Sequence, residues 1–459
     1  MHASRVADKR APTKEDADVI VIGAGAAGLV AAFSLAESGQ SVMVLEARDR
    51  TGGRVHTIAD ATKKLPIELG AEFIHGRPSE IWDLLREADI PVTEVDGDNW
   101  CFERDRLSRC EFFSEVEDIL QKMSDDGPDQ SFESFLGCCC PEASTEAKRR
   151  ALSYVAGFNA ADPGQVSVRW LVNQMRAEEK IEGDRAFRAR GGYAPLLKFI
   201  MDRVEKAGVR LRTNTVVRKI AWSPGNVAVE AVSDANTILL HAARVLVTVP
   251  VGVLQAAPGE TGAIEFSPPL PRDKLNAIAG LEMGKVIRVV LHFRERFWER
   301  IRPDGNESLA RMSFLFSQDA FFPTWWTSMP EEFPVITGWA PFACVDRINS
   351  DDLPVGRLAV QCLATLLGEE ATELQRLLKG AHFHDWQADT YSRGAYSYVK
   401  VGGADAPEIL SQPVRETLFF AGEASDTSGN NGTVHGAIAS ALRAVAQIKK
   451  AGRVNVRDK

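Results

Sequence analysis

Residues 19 to 28 constrain this chain more than any others. Val19-Ile20-Val21-Ile22, an apolar run with the length of a buried strand, leads directly into Gly23-Ala24-Gly25-Ala26-Ala27-Gly28. A helical pattern follows from Leu29 to Ser38, Gly39 stops it, and a second strand, Ser41 to Leu45, ends on Glu46. GxGxxG by itself is weak evidence. Here the strand, the glycines, the helix, the second strand and an acid 18 residues past the last glycine come in the required order. Each part has a physical role. Gly23, Gly25 and Gly28 let backbone N–H groups approach a pyrophosphate at a helix N-terminus, and the Glu46 carboxylate accepts from ribose hydroxyls. Such a unit opens a Rossmann-like α/β domain for a dinucleotide.

With 459 residues, 45% of them hydrophobic and 25% charged, the chain has enough length for two cores. A formal charge of -9, with basic residues spread out, leaves no footprint for nucleic acid. Seven cysteines are an odd count with no zinc spacing, which argues against a disulfide framework and a structural metal and favours a reducing, cytoplasmic setting. Cys138-Cys139-Cys140 runs into Pro141 with no neighbouring histidine and is assigned no chemistry. The first apolar run is too short for a signal peptide, and no uncharged stretch approaches the ~20 residues that span a bilayer, so no membrane anchor is expected.

The residues after Glu46 separate NAD from FAD. Arg48, Arg50 and Gly52-Gly53-Arg54 put cations and pliable backbone where a second phosphate-rich stretch of cofactor would lie, which favours FAD. Leu45-Glu46-Ala47-Arg48-Asp49-Arg50-Thr51-Gly52-Gly53-Arg54 resembles the segment that marks the flavin-containing amine oxidase superfamily, whose branches include monoamine oxidases, polyamine oxidases and histone lysine demethylases. The resemblance continues through Glu68-Leu69-Gly70-Ala71-Glu72-Phe73-Ile74-His75-Gly76, Arg190-Gly191-Gly192-Tyr193, the strand that contains Val217, Leu418-Phe419-Phe420-Ala421-Gly422-Glu423-Ala424, and Gly432-Thr433-Val434-His435-Gly436-Ala437 at the start of the last helix.

The resemblance implies a discontinuous FAD domain of the GR2 type, at about residues 15–86, 186–264 and 387–452. An α+β substrate domain takes 87–185 and 265–386, and 1–14 and 453–459 are tails. It implies non-covalent FAD held by Gly23, Gly25, Gly28, Glu46, Arg48, Gly52, Gly53, Arg54, Gly70, Ala71, Glu72, Val217, Gly422, Glu423, Thr433 and Val434. Covalent attachment is not expected, because Ala395 stands where mitochondrial monoamine oxidases carry a bonding cysteine. No insertion matches the helical tower of histone demethylases, so a chromatin role is disfavoured.

Amine oxidation by hydride departure needs the nitrogen lone pair, yet an alkylamine with a pKa near ~10.4 is only about a thousandth neutral near pH 7, a deficit of about 4 kcal/mol. An apolar, aromatic-walled pocket offsets part of it, since desolvation favours the neutral amine and ring faces orient the group. In the block Trp386 to Tyr398, the resemblance sets Tyr396 at one wall. The second wall position falls on Thr433, so the two-ring cage of monoamine oxidases is incomplete.

Many family members hold a lysine near flavin N5, and that register lands on Arg288, with Lys285 three residues earlier in Lys285-Val286-Ile287-Arg288. Residues three apart on a strand face opposite ways, so at most one faces the flavin, and Arg288 is the expected one. His75 borders the substrate channel in the resemblance; a histidine bonded to backbone is the competing reading. His435 reads as structural.

The expected reaction turns an amine and oxygen into an imine and hydrogen peroxide. A flavin desaturase acting on C–C bonds and a redox-silent FAD scaffold remain alternatives, as does a homodimer for the assembly.

Overall fold

The opening apolar run becomes the buried parallel strand Ala17–Ile22, flanked by Val42–Leu45 on one side and Asn236–Val247 on the other. The computed structural model describes residues 17–60, 65–303, 305 and 307–457; the tail at 1–14 lies outside them. These strands belong to an eight-stranded sheet that also takes Arg210–Arg212, Thr215–Ser223, Asn226–Ser233, Glu265–Ser267 and Leu418–Phe420. Its centre is parallel, and Thr215–Ser223, Asn226–Ser233 and the first half of Asn236–Val247 extend it as an antiparallel meander. The sheet thus gathers strands from three separated stretches of sequence.

The first helix, Ala26–Ala36, is buried at eight of its eleven positions. It packs with the helices Ala194–Lys206 and Val434–Arg457 against one sheet face, in a core of Val19, Val21, Leu29, Val44, Ile200 and Ile438. Gly28 is required there: a Cβ would lie 1.9 Å from the Gly23 carbonyl oxygen. The last helix runs through Arg457, so residues 453–457 of the tail read at 453–459 are helical, and 458–459 lie outside the described residues.

A second, seven-stranded sheet is ordered Leu378–Phe383, Val286–Phe293, Val335–Pro341, Thr324–Thr327, Met312–Phe316, Asp98–Glu103, Arg106–Arg109. Val286–Phe293 is buried at every position, as expected for a central strand covered on both faces. The helix Val355–Leu367 supplies one cover. The helices Phe112–Leu120, Thr145–Phe158 and Val168–Glu179 lead back towards the junction of the two sheets, where they line one shared cavity. Among the described residues, no helix is long and apolar enough to cross a membrane.

One expectation about cysteine is corrected. Cys101 and Cys110 form a disulfide across the hairpin Asp98–Glu103/Arg106–Arg109, with Cα atoms 5.8 Å apart. Spacing gave no hint of it because a nine-residue separation becomes a cross-strand contact only once the hairpin folds. Cys138, Cys139, Cys140, Cys344 and Cys362 are free.

Candidate active site

A cavity of about 1400 Å³ runs from the glycine loop to the aromatic face of the second sheet. Pockets for drug-sized ligands occupy about 300–1,000 Å³, so there is room for a dinucleotide and a second molecule. At one end the helix Ala26–Ala36 opens into it: Gly25 is the extended N-cap with no side-chain cap, and Gly25, Ala26 and Ala27 line the wall. Uncapped N–H groups at a helix start form an anion site. Glu46, 4% exposed, is positioned by Ala24 N–H donating to Oε2 at 2.7 Å and Arg48 N–H donating to Oε1 at 3.0 Å, with acceptor capacity to spare. Gly52, at φ +94°, closes against Val55, where a Cβ would meet the carbonyl oxygen at 2.5 Å.

Of the residues expected to hold the cofactor, Gly23, Gly25, Glu46, Arg48, Gly52, Gly53, Arg54, Gly70, Ala71, Glu72, Val217, Gly422, Glu423, Thr433 and Val434 all line this cavity. Gly28 stands behind it as a packing residue. Several of these side chains are committed to one another. Arg48 donates to Asp389 at 2.6 Å and to Ser392 at 3.0 Å. Arg54 pairs with Glu423 at 2.8 Å, and Glu423 also accepts from Ser397 Oγ at 2.6 Å and Gly432 N at 3.0 Å. The Thr433 hydroxyl accepts from Gly436 N at 2.9 Å and so caps the last helix. The open first helix, the acid beside it, the glycine cradle and the cavity's length fit an FAD-sized group.

The other end is walled by rings. Phe73, Phe158, Phe314, Trp326, Trp339 and Tyr396 line it, with Trp326 and Trp339 5.7 Å apart and Phe73 and Trp326 5.6 Å apart between centroids. Tyr396 donates to the Phe158 carbonyl at 2.7 Å, and burial pushes its phenol up, so it stays neutral. His75 packs edge-on to Phe158 at 5.4 Å, and burial lowers its imidazole to about 4. His435 also lines the cavity; burial, and secondarily His75, lowers it to about 3.

Arg288 reaches the cavity between these two ends. It is 5% exposed, donates to the Gly70 carbonyl at 2.7 Å and pairs with Glu72. Glu72 in turn accepts from Arg188 Nε at 2.6 Å and Trp326 Nε1 at 3.0 Å. Burial pushes the Glu72 carboxyl up, but Arg288 and then Arg188 outweigh it and hold the group ionised. Lys285 precedes the strand Val286–Phe293 rather than lying on its opposite face. Its side chain is 48% exposed and pairs with Asp346 at 2.8 Å, away from the cavity.

Sequence reasoning missed Arg188, Phe158, Trp339 and Glu178. Glu178 lines the cavity, accepts from Gln174 Nε2 at 3.1 Å, and has no cationic side chain paired with it among the described residues; burial raises it to about 7. Asn159 donates to Gln174 at 2.6 Å and completes the chain that holds it.

A family model described as flavin containing amine oxidoreductase matches residues 26–151 and 103–449. Polyamine oxidase 2 of Arabidopsis thaliana is 30% identical over 462 residues, covering 93% of this chain and 86% of that one. Lysine-specific histone demethylase 2 of Homo sapiens is 28% identical over 471 residues, 94% of this chain but 53% of its own length. Among solved structures, a wild-type putrescine oxidase bound to putrescine matches with a TM-score of 0.78 at 21% identity, covering 95% of this chain and 99% of that one. Cyclohexylamine oxidase from Brevibacterium oxydans IH-35A matches with a TM-score of 0.76 at 21% identity, covering 96% and 100%.

Proposed function

The chain belongs to the flavin-containing amine oxidoreductase family, and from that premise we propose that it is an oxidase of small amines using non-covalent FAD. The observation that carries this reading is the continuity of one cavity from an open helix N-terminus to an aromatic wall. Bound there, FAD supplies two-electron oxidation of an amine C–H bond and reoxidation by oxygen to hydrogen peroxide.

The chain's own residues supply binding, orientation and charge. Gly25, Ala26 and Ala27 offer backbone N–H groups to the pyrophosphate, and Glu46 accepts from the ribose. The ring wall of Phe73, Phe158, Trp326, Trp339 and Tyr396 excludes water and favours the neutral amine. Arg288 is a fixed cation on the cavity wall that no proton transfer can discharge, since a guanidinium stays charged in proteins. His75 and His435, held neutral by burial, add no further positive charge near neutral pH. No side chain has to remove a proton from carbon, because a hydride leaves with its electron pair.

Glu178 supports a substrate with a second, charged nitrogen. An unpaired carboxyl on the cavity wall is an acceptor for a remote ammonium, and such a partner would restore its ionisation. Polyamine oxidases and a putrescine oxidase among the similar proteins agree with that preference. The test is a panel of mono- and diamines under anaerobic conditions. Diamines are expected to bleach the flavin at lower concentration than monoamines of equal length, and a protein that no amine bleaches does not have this function.

A further inference from the structure

The helix Phe132–Cys139 ends in three successive cysteines, and only the third is inside: Cys140 is buried, while Cys138 and Cys139 are exposed. Successive helical residues do not face each other, because the helix turns through about 100° per residue. Here the helix stops at Cys139, and Cys140 leaves the helical region at φ −127°, ψ 47°. The two exposed sulfurs nevertheless sit 2.7 Å apart. That is close to the ~2.05 Å of a disulfide bond. Gln130 flanks both, with Oε1 3.5 Å from Cys138 Sγ and Nε2 3.9 Å from Cys139 Sγ. The Cys138 thiol is pushed above the usual range, first by its hydrogen bond with Cys139.

We propose that Cys138 and Cys139 form a modification site, a dithiol that hydrogen peroxide closes reversibly to a vicinal disulfide. The Cys139 thiolate attacks one peroxide oxygen; the O–O bond breaks, an S–O bond forms, and hydroxide leaves as water after protonation. Cys138 then attacks the oxidised sulfur, forming the S–S bond and releasing the second water. Both sulfurs together lose two electrons, and one peroxide is reduced to two waters. Adjacent Cα atoms are ~3.8 Å apart, shorter than the ~4.4–6.8 Å span of ordinary disulfides, so the closed pair is strained and easily reduced. Strain makes it reversible. The inference rests on the amine oxidase reading only for the source of peroxide.

The test uses the FAD-loaded full-length protein, exposed either to added peroxide or to amine turnover in air, then alkylated with N-ethylmaleimide before denaturation. Digestion at Lys122 and Lys148 releases residues 123–148, which contain these three cysteines and no others. Untreated protein should carry two labels on this peptide. Peroxide-treated protein should carry none and be about two mass units lighter than the unlabelled peptide, and dithiothreitol should restore both labels. A peptide still doubly labelled after peroxide, or one gaining oxygens that dithiothreitol cannot remove, overturns the proposal. Cys138→Ser should turn the reversible loss into stable oxygen addition at Cys139; reversible closure in that variant would mean that Cys140 is the partner and would also overturn it. Closure by added peroxide without closure during turnover leaves the site standing and counts against the peroxide-forming activity.

Discussion

At the scale of single residues, the site depends on a few buried charges whose partners come from distant parts of the chain. Glu72 neutralises Arg288 and Arg188 together. Glu72→Gln would remove the carboxylate that pairs with the buried Arg288 and the largely buried Arg188, and removing one partner of a buried pair typically costs about 3–5 kcal/mol, so thermal unfolding should show a large loss of stability. Arg288→Met leaves Glu72 on Arg188. It should change flavin absorbance and slow anaerobic reduction by about tenfold or more, about 1.4 kcal/mol. Lys285→Met, which removes an exposed partner of Asp346, should stay within about half a kcal/mol in stability and leave the flavin unchanged. The reverse pattern would move the charge beside the flavin to Lys285. Glu68 gives a pH test: burial raises its carboxyl to about 7, while Tyr193 N–H and Thr57 hold it in position. A raised carboxyl pKa means that the unfolded chain loses the proton first, so this group's contribution to stability falls as pH rises from about 4.5 to about 7. Glu68→Gln should therefore be nearly neutral in melting temperature near pH 4 and stabilising near pH 8, by at most ~3 kcal/mol. Equal shifts at both pH values would show that folding does not raise the Glu68 carboxyl.

At the scale of elements, the glycine loop and its flanking strands were legible because everything they need lies within 28 residues, from Val19 to Glu46. The observed helix begins at Ala26, three residues before the periodic pattern, because Gly25 is its N-cap and Gly28 lies in its first turn. Gly28→Ala drives a methyl group into the Gly23 carbonyl and should abolish flavin retention, read as the flavin-to-protein ratio after gel filtration. The aromatic wall was only partly legible. Trp326 and Tyr396 lie in aromatic-rich runs, whereas Phe158 and Trp339 arrive singly on a helix and a strand, with nothing local to mark them. The Cys101–Cys110 bridge belongs to this scale as well: its hairpin pairs with Met312–Phe316, which brings Phe314 to the wall. A loop of this size contributes about 2–3 kcal/mol through the unfolded state. Paired Cys101→Ser and Cys110→Ser changes should lower the melting temperature by a few degrees, and an unchanged melt would mean that the bridge adds nothing to the hairpin.

At the scale of the whole molecule, two sheets meet along one cavity, whose lining includes both the glycine end and the ring end. The sequence shows the glycine end because phosphate recognition uses consecutive backbone. It hides Arg188 and Glu178 because each reaches the cavity's surroundings from a segment whose local pattern is ordinary helix or strand. The proposed function requires an amine in its neutral form to give its electrons to a flavin held in this cavity. The decisive quantity is the rate at which subsaturating diamine bleaches the flavin of the purified protein without oxygen, followed from about pH 6.5 to about pH 9.5. The rate should rise with pH towards the amine pKa of ~10.4, because the neutral fraction grows tenfold per pH unit below it. A rate that stays flat across that range, or a flavin that no amine bleaches, contradicts oxidation of a neutral amine at this site.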